Sequence, residues 1–313
     1  MILTQTKPRP GTSRQEAQTG TNRSLDKPSS LPSDSNVNHF HAPTKAALDH
    51  GLCLIRRSPW DSYRPLAYTM NQGTTHGDAI LSKRIHRGWQ QQDTQYVVKR
   101  EKKTVGEEIA SVAKPLHRNI VQLFQIFGTG DRVAFVYEAM DVSLEQVFSL
   151  DVDPWSINPG CKDAQLSAIC LQVLKGLQYL RHSFEVSYGF LETANILINR
   201  SGSVKLANFA HCLMHSRKDF ARDLAELARI ILRLSFPLVA RAKCDQLEQL
   251  PREFFHQLAN NDDIRLALQH EYLRQADAGR LETLVLYTLE ATYYPPQGFK
   301  ELDASPVTSQ IDD

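Results

Sequence analysis

The sequence predicts an α+β fold in which a small strand-rich region precedes a larger helical one. Short runs between Trp60 and Lys103, such as "AILSKRI" and "QYVVKR", alternate apolar and polar residues and are separated by polar turns, as strands are. After Met140 the apolar residues recur instead at helical spacing. No internal repeat is visible in the chain.

The composition limits the classes of partner. A chain of 313 residues that is 42% hydrophobic can bury a sizeable core. Its 36 Lys and Arg nearly balance its 35 Asp and Glu, so no global field favours nucleic acid or an acidic membrane. The most apolar run, "LARIILRLSFPLVA", contains Arg229 and Arg233 and is too polar to span a bilayer. We therefore expect neither nucleic acid nor a membrane among the partners.

The five cysteines indicate the cellular compartment. They are scattered and form no CxxC pair. This pattern favours buried, reduced thiols over a disulfide framework or a zinc site. No secretory signal precedes the Asn-x-Ser triplets of the chain. The expected location is intracellular, in the cytoplasm or the nucleus.

Four segments are predicted from changes in composition. Residues 1–58 are rich in Thr, Ser, Pro, Asn and Gln and have almost no apolar periodicity. Such a stretch cannot offset its ordering entropy, so it is predicted to be a disordered polar tail. The strand-rich region covers residues 59–140 and the helical region residues 141–300. Residues 301–313 form a C-terminal tail.

The strand-rich region contains one predicted helix. In "VGEEIASVAK" the apolar residues Ile109, Val112 and Ala113 share one helical face, and Pro115 ends the pattern. The stretch that follows, "NIVQLFQIFGTGDRVAFVYEAM", predicts two strands joined by a Gly-Thr-Gly-Asp turn.

The helical region begins with the strongly amphipathic stretch "LSAICLQVLKGLQYLRHS". Its apolar residues recur at i, i+3, i+4 and i+7: Leu166, Ile169, Cys170, Val173, Leu174, Leu177 and Leu180. Two short strands joined by "NRSGS" follow. Further helices are predicted from "RDLAELARIILRLSF", "PREFFHQLAN", "IRLALQHEYLRQA" and "RLETLVLYTLEA".

From about Asn71 to Leu273, the order and spacing of the motifs resemble a eukaryotic protein kinase domain. "YVVK" is similar to the lysine-bearing third strand, and "EEIASVAKPLHRNIVQL" is similar to the αC helix and the strand after it. The resemblance implies a two-lobed fold with a small antiparallel-sheet N-lobe and a larger helical C-lobe. It also implies that Lys99 contacts nucleotide phosphates and that Glu108 pairs with Lys99.

The segment "FVYEAMDVSLEQVF" resembles the fifth strand and the hinge beside the nucleotide. Tyr137 then stands at the position that gates the nucleotide pocket. The resemblance also assigns Glu138, Met140 and Leu197 to that pocket.

Three features weaken the implied pocket. Val97 adds bulk where the family usually has an alanine, and Tyr137 narrows the back. The loop "QGTTHGDAI" offers Gly73 and Gly77 but no G-x-G-x-x-G pattern. We therefore expect no cofactor, with binding of ATP and Mg²⁺ weak or absent.

The stretch "YGFLETANILI" resembles the catalytic loop, and "KLANFAHC" resembles the metal-binding D-F-G. The position that accepts the substrate proton is Phe190 here, and the loop lysine is Glu192. The metal-bridging aspartate is Asn208, a neutral and weaker ligand for a hard cation. Asn195 matches the other metal ligand, and it suits equally well a role in holding the turn between two strands. No catalytic residue is therefore assigned.

The peptide-binding side is also reduced. Fourteen residues separate Asn208 from Asp223, without an A-P-E triplet or a recognisable activation segment. Asp223 is expected to cap its helix and to bond the backbone of the catalytic loop. The helix from "RLETLVLYTLEATYYPP" is expected to cover the helical-lobe surface near the start of the Asp223 helix. Its apolar residues are Leu284, Leu286, Tyr287, Leu289, Tyr293 and Tyr294.

These absences favour a pseudokinase, a scaffold or regulatory module that acts by binding another protein. The alternative is a divergent ATP-dependent phosphotransferase, similar to protein Ser/Thr kinases or to small-molecule kinases. Small-molecule kinases of the aminoglycoside and choline type share an H-G-D loop, which Tyr188-Gly189 resembles. A decaying duplicate without a selected function is a third hypothesis.

Overall fold

The computed structural model describes residues 51–69, 72–73, 78–85, 94–102, 111–150, 153–157, 160, 162–215, 218–236 and 243–293. All of them lie in one compact unit, 40–313.

The N-terminal region is a sheet of seven strands. They are β1 (Leu52–Ile55), β2 (Tyr63–Tyr68), β3 (Asp78–Arg84), β4 (Gln95–Lys102), β5 (Ser111–Val112), β6 (Leu123–Thr129) and β7 (Arg132–Glu138). The strands lie in the order β2-β3-β4-β7-β6-β1-β5. Neighbours are antiparallel except for β1 and β6, which run parallel with Leu54 opposite Ile126. The expected antiparallel lobe is therefore a mixed sheet at this edge.

Residues 52–62, here called the N-terminal strap, join the two sides of the sheet. The strap begins as β1 beside β6 and reaches β2 at the far edge, with a 3₁₀ turn at Pro59–Asp61. Ile55 and Trp60 of the strap pack against a cluster of buried residues from the sheet: Tyr63, Val98, Phe127, Ala134 and Val136. The strap thus adds a second hydrophobic layer on the face of the sheet opposite the helical region.

The strap corrects the predicted limit of the disordered tail. Residues 52–58 belong to the sheet and its cover, so a polar tail ending at residue 58 is wrong for this part. The sequence signal was weak because β1 has four residues and its partner strands lie far along the chain. Residues 1–50, like the predicted tail at 301–313, lie outside the described residues.

The helix predicted over "VGEEIASVAK" does not include its last residues. Ser111–Val112 form β5, with Val112 opposite Leu52, and Ala113 is not helical. The edge of β1 supplies backbone partners here, and a periodicity argument confined to local sequence cannot detect them. Glu108 and Ile109 lie outside the described residues.

The described C-terminal region contains seven α-helices: α1 (Leu144–Phe148), α2 (Lys162–Phe184), α3 (Phe209–His215), α4 (Phe220–Ser235), α5 (Gln249–Asn260), α6 (Ile264–Gln269) and α7 (Leu281–Tyr293). A small sheet, ordered β10-β9-β8, consists of β8 (Val142–Ser143), β9 (Ile196–Ile198) and β10 (Val204–Leu206). Helix α2 is the long amphipathic helix of the sequence prediction, and residues 199–203 form the predicted turn between β9 and β10. The α+β architecture with a sheet region followed by a helical region is confirmed.

Helix α7 packs against the helical region, as predicted. Leu281, Leu284 and Val285 are buried, whereas Leu286 is 56% exposed. The main contacts of α7 are with α1, β8 and the 3₁₀ turn at Pro154–Ile157. This position differs from the expected one. At the first turn of α4, the Arg181 guanidinium lies 4.5 Å from the Phe220 ring centre.

Among the described residues, none of the helices combines the length and apolar character that a membrane span requires.

The docking of α7 predicts a difference between two leucine variants. Leu284 is 1% exposed and Leu286 is 56% exposed on the same helix. Leu284→Ala should lower the free energy of unfolding by about 2–5 kcal/mol, because it leaves a cavity. Leu286→Ala should change it by less than about 0.5 kcal/mol. Urea unfolding measures both, and equal effects of the two variants would mean that α7 is not docked.

Candidate functional site

A narrow cleft lies between the sheet and the helical region. The residues that line it come from both lobes: Gln72, Gly73, Ala79, Val97, Lys99, Val121, Tyr137, Glu138, Met140, Leu197, Ala207 and Asn208. Eight residues that the sequence analysis named at the implied pocket or metal site are among them: Gly73, Val97, Lys99, Tyr137, Glu138, Met140, Leu197 and Asn208. Glu108, the expected partner of Lys99, lies outside the described residues.

Lys99 is the buried cation of the cleft. Its side chain extends from β4, where the alternation of the strand turns it toward the helical region, and the residue is 1% exposed. The ammonium Nζ donates to the carbonyl of Gly73 at 2.8 Å and to Asn208 Oδ1 at 2.6 Å. It also lies 3.7 Å from Glu101 Oε1. Burial lowers the pKa of Lys99 to about 8, and the carboxylates of Glu101 and Glu192 oppose this shift.

Asn208 and Asn195 continue the hydrogen-bond chain from Lys99. An ammonium only donates, so Asn208 must present Oδ1 to it, and its Nδ2 then donates to Asn195 Oδ1 at 2.8 Å. Asn195 Nδ2 in turn donates to the carbonyl of Phe190 at 2.9 Å and to Glu192 Oε1 at 3.2 Å. Both amide oxygens are therefore already hydrogen-bonded inside the cleft. Asn208 also adopts φ 55°, a left-handed conformation that Asn tolerates better than most residues.

Phe190 and Glu192 lie beside this chain. The Phe190 ring is partly buried and packs edge-on against the His211 ring, with 4.8 Å between the ring centres. The carboxylate of Glu192 is on an exposed residue and faces Asn195. Phe190 is not among the residues that line the cleft, and it also packs against the hydrophobic core of the helical region.

Glu101 and His211 are site residues that the sequence analysis missed. Glu101 Oε2 lies 3.0 Å from His211 Nδ1, and each residue is 7% exposed. Glu101 follows Lys99 by two positions on β4, so the two side chains share one face of the strand. That spacing was the available signal. His211 lies on α3, and its approach to β4 depends on tertiary structure.

Tyr137 and Glu138 end β7 at the back and the hinge of the cleft. Tyr137 is buried, and its hydroxyl accepts a hydrogen bond from the backbone of Ala210 at 3.2 Å. Burial raises the pKa of Tyr137. Glu138 is paired with Lys205 Nζ at 2.7 Å and accepts from the backbone of Gln122. The carboxylate of Glu138 therefore connects the hinge to β10.

Asp223 holds the backbone next to Phe190. Its two carboxylate oxygens accept from the backbone N–H of Tyr188 at 2.6 Å and of Gly189 at 2.7 Å. The expected bonding of Asp223 to the catalytic-loop backbone is confirmed. Its expected capping role is wrong, because Asp219 is the cap of α4 and accepts from the backbone of Arg222. Burial raises the pKa of Asp223 to about 6, against the opposing effect of the two backbone donors.

Comparison with known families fits this geometry. Residues 76–224 match the family model of the protein kinase domain. The chain carries a protein kinase-like domain. The matched range contains the cleft residues Lys99, Asn195 and Asn208 as well as Asp223.

The segment after Asn208 in the kinase-like domain is a helix. Helix α3 begins at Phe209, and Phe209, Ala210 and Cys212 are buried within the fold. Apart from residues 216–217, which lie outside the described ranges, the chain passes directly to Asp219 and α4. The segment between Asn208 and Asp219 is therefore partly buried in the core of the domain.

The raised pKa of Asp223 predicts a pH effect on the kinase-like domain. Burial raises this pKa from 3.8 to about 6, so the stability linked to its protonation is complete below pH 3.8 and is lost as the pH rises through 6. Asp223→Asn cannot ionise. The stability of the wild type relative to this variant should therefore fall by up to about 3 kcal/mol between about pH 4 and pH 7. Urea unfolding across this range measures it, and a difference that stays constant or rises with pH would contradict the assignment.

Proposed function

We propose that this kinase-like domain is catalytically impaired and acts as a pseudokinase, a scaffold or regulatory module that binds another protein. One observation supports the proposal most directly: Asn208, which the sequence resemblance aligns with a metal-binding carboxylate, is held by Lys99 through a hydrogen bond of 2.6 Å. The same resemblance aligns Phe190 with the proton-accepting carboxylate. ATP binding is weak or absent in this proposal.

The loss of proton transfer supports the proposal. Phosphoryl transfer to a hydroxyl needs a carboxylate that accepts the proton and orients the oxygen. The phenyl ring of Phe190 can do neither, and it packs on His211. Restoring one group of a set that acts as a unit does not restore the whole.

The oxygen ligands that Asn195 and Asn208 could offer are poorly suited to Mg²⁺. Mg²⁺ is commonly held by one or two carboxylates together with substrate phosphates. Asn195 and Asn208 offer neutral amide oxygens, and these oxygens accept from Asn208 and Lys99. A metal ion would have to break this chain without gaining an anionic ligand from either residue.

Glu192 and the helix α3 support loss of substrate binding as well. Glu192 places a negative charge where a cation would offset the transferring phosphoryl group. Helix α3 buries Ala210 and Cys212 where a kinase would present its activation segment. The proposed function of the domain is therefore to bind another protein rather than to transfer phosphate.

A divergent phosphotransferase is the second candidate. It is favoured by the exposed carboxylate of Glu192, which lies at the cleft beside Asn195. An enzyme of this kind would use the carboxylate of Glu192 as its base, in place of the carboxylate that is expected at position 190. Its substrate would be a protein or a small molecule.

The proposed partner is another protein rather than nucleic acid or a membrane. The near balance of 36 basic and 35 acidic residues supports this choice, and the proposed location is the cytoplasm or the nucleus. If binding does not depend on the cleft, a pull-down from cells should recover the same protein partner with Lys99→Met as with the wild type. Loss of that partner from a folded Lys99→Met variant would favour the enzyme.

The proposal predicts no phosphate transfer from ATP. The purified chain should incorporate no labelled phosphate into itself or into generic protein substrates. The reason is that Phe190 cannot accept the proton of a hydroxyl and Asn208 offers Mg²⁺ no carboxylate. Phe190→Asp alone should not restore transfer, since the metal position and α3 are unchanged. Incorporation by the wild type that Lys99→Met or Glu192→Gln abolishes would overturn the proposal in favour of the second candidate.

The proposal also predicts a small thermal response to nucleotide. A ligand at 100 times its dissociation constant adds about 2.7 kcal/mol of stability. Submillimolar ATP should produce no clear rise in melting temperature, with or without Mg²⁺. A clear rise that depends on Mg²⁺ would show that Lys99, Asn195 and Asn208 still form a nucleotide site.

A further inference from the structure

The backbone of Gly73 bridges the two lobes inside the cleft. Gly73 follows β2 in the chain, and its N–H donates to the carbonyl of Ala194 at 2.7 Å. Its carbonyl accepts from Lys99 Nζ at 2.8 Å. One residue therefore joins the ammonium of Lys99 to the loop that carries Asn195.

The side chain of Gln72 forms a second bridge. Its Nε2 donates to the carbonyl of Asp141 at 2.9 Å and to Gln146 Oε1 at 2.8 Å. Gln146 is itself fixed, because it forms the capping box of α1 with Ser143. Gln72 is thus attached to the start of α1 in the helical region.

The conformation and the close fit at position 73 favour a glycine. The residue has φ +61°, a conformation that L side chains rarely adopt. A Cβ atom at this position would lie 3.3 Å from Ala207 Cβ and 3.5 Å from Asn208 Oδ1. The backbone of Gly73 therefore lies directly on the residues at the metal position.

Little space remains in the cleft beside Gln72 and Gly73. The cavity measures about 20 Å³, which is room for one water molecule. Sites for drug-sized ligands and cofactors usually measure roughly 300–1,000 Å³. A nucleotide would also need Lys99, which is hydrogen-bonded to the carbonyl of Gly73.

We propose that Gln72 and Gly73 are a plug that closes the cleft from within, and that the cleft admits a nucleoside phosphate only after this plug leaves. The inference rests on the proposed function, since it gives the reason for weak ATP binding. It adds that Gln72 and Gly73 control access to the cleft, because their departure would expose Lys99.

A pair of glycine variants tests the plug. Gly73→Ala adds a methyl group at φ +61° against Ala207, which should expel the residue from the cleft. Gly130→Ala is the matched control, because Gly130 has φ +52° with nothing within 4 Å of the added methyl. The first measurement is the rate at which a water-soluble acylating reagent modifies Lys99, read by mass spectrometry against the exposed Lys102. The second is the fluorescence of a trinitrophenyl analogue of ATP.

Gly73→Ala should raise both the acylation of Lys99 and the retention of the ATP analogue by about tenfold or more over the wild type, because left-handed backbone is costly for alanine. Gly130→Ala should match the wild type in both. If either measurement stays at the wild-type value in a folded Gly73→Ala protein, the plug is wrong.

Gln72→Ala provides a second route if Gly73→Ala does not fold. It removes the bonds to Asp141 and Gln146 without straining the backbone, and it should raise both signals in the same direction. No rise in either signal would overturn the plug. Phosphate transfer by an opened variant would contradict the proposed function but not the plug, so the two failures are distinguishable.

Discussion

The buried ammonium of Lys99 determines the arrangement of the cleft around it. A charge with 1% exposure must find acceptors within the protein, because an isolated buried ion costs several kcal/mol. Two acceptors come from separate parts of the chain, the carbonyl of Gly73 and the amide oxygen of Asn208, and the carboxylate of Glu101 adds an ion pair at 3.7 Å. The donor-only character of Lys99 then fixes the orientation of Asn208 and, through it, of Asn195. A single cation thereby orders the polar groups of both lobes.

Asp223 orders the backbone of the helical region in a similar way. Its carboxylate satisfies the N–H groups of Tyr188 and Gly189 beside Phe190. This interaction depends on backbone donors alone, so the loop keeps its course whichever side chain stands at position 190. The scaffold of the loop and the chemistry of its side chains are therefore physically separate. A kinase-like fold can therefore keep this loop in place with Phe190 in it.

The sequence was sufficient where residues act through their order in the chain. The spacing of Lys99, Asn195, Asn208 and Asp223 placed them in one fold, and helical periodicity located α2 and α7. It was insufficient where partners meet only in three dimensions. The pairing of Glu101 with His211 joins a strand to a distant helix, and the insertion of Gly73 depends on the two lobes closing. The four residues of β1 were missed for the same reason, since their partners are Ile126, Phe127, Ser111 and Val112.

The parallel pairing of β1 with β6 bears on how the chain is made as well as on how it is stabilised. Leu54 leaves the ribosome long before Ile126, its partner across the sheet, has been synthesised. During that interval Leu52, Leu54 and Trp60 have no sheet to pack on. Unpaired strands with exposed apolar side chains are prone to pair with other chains. The strap that completes the finished domain therefore exposes apolar side chains while translation continues.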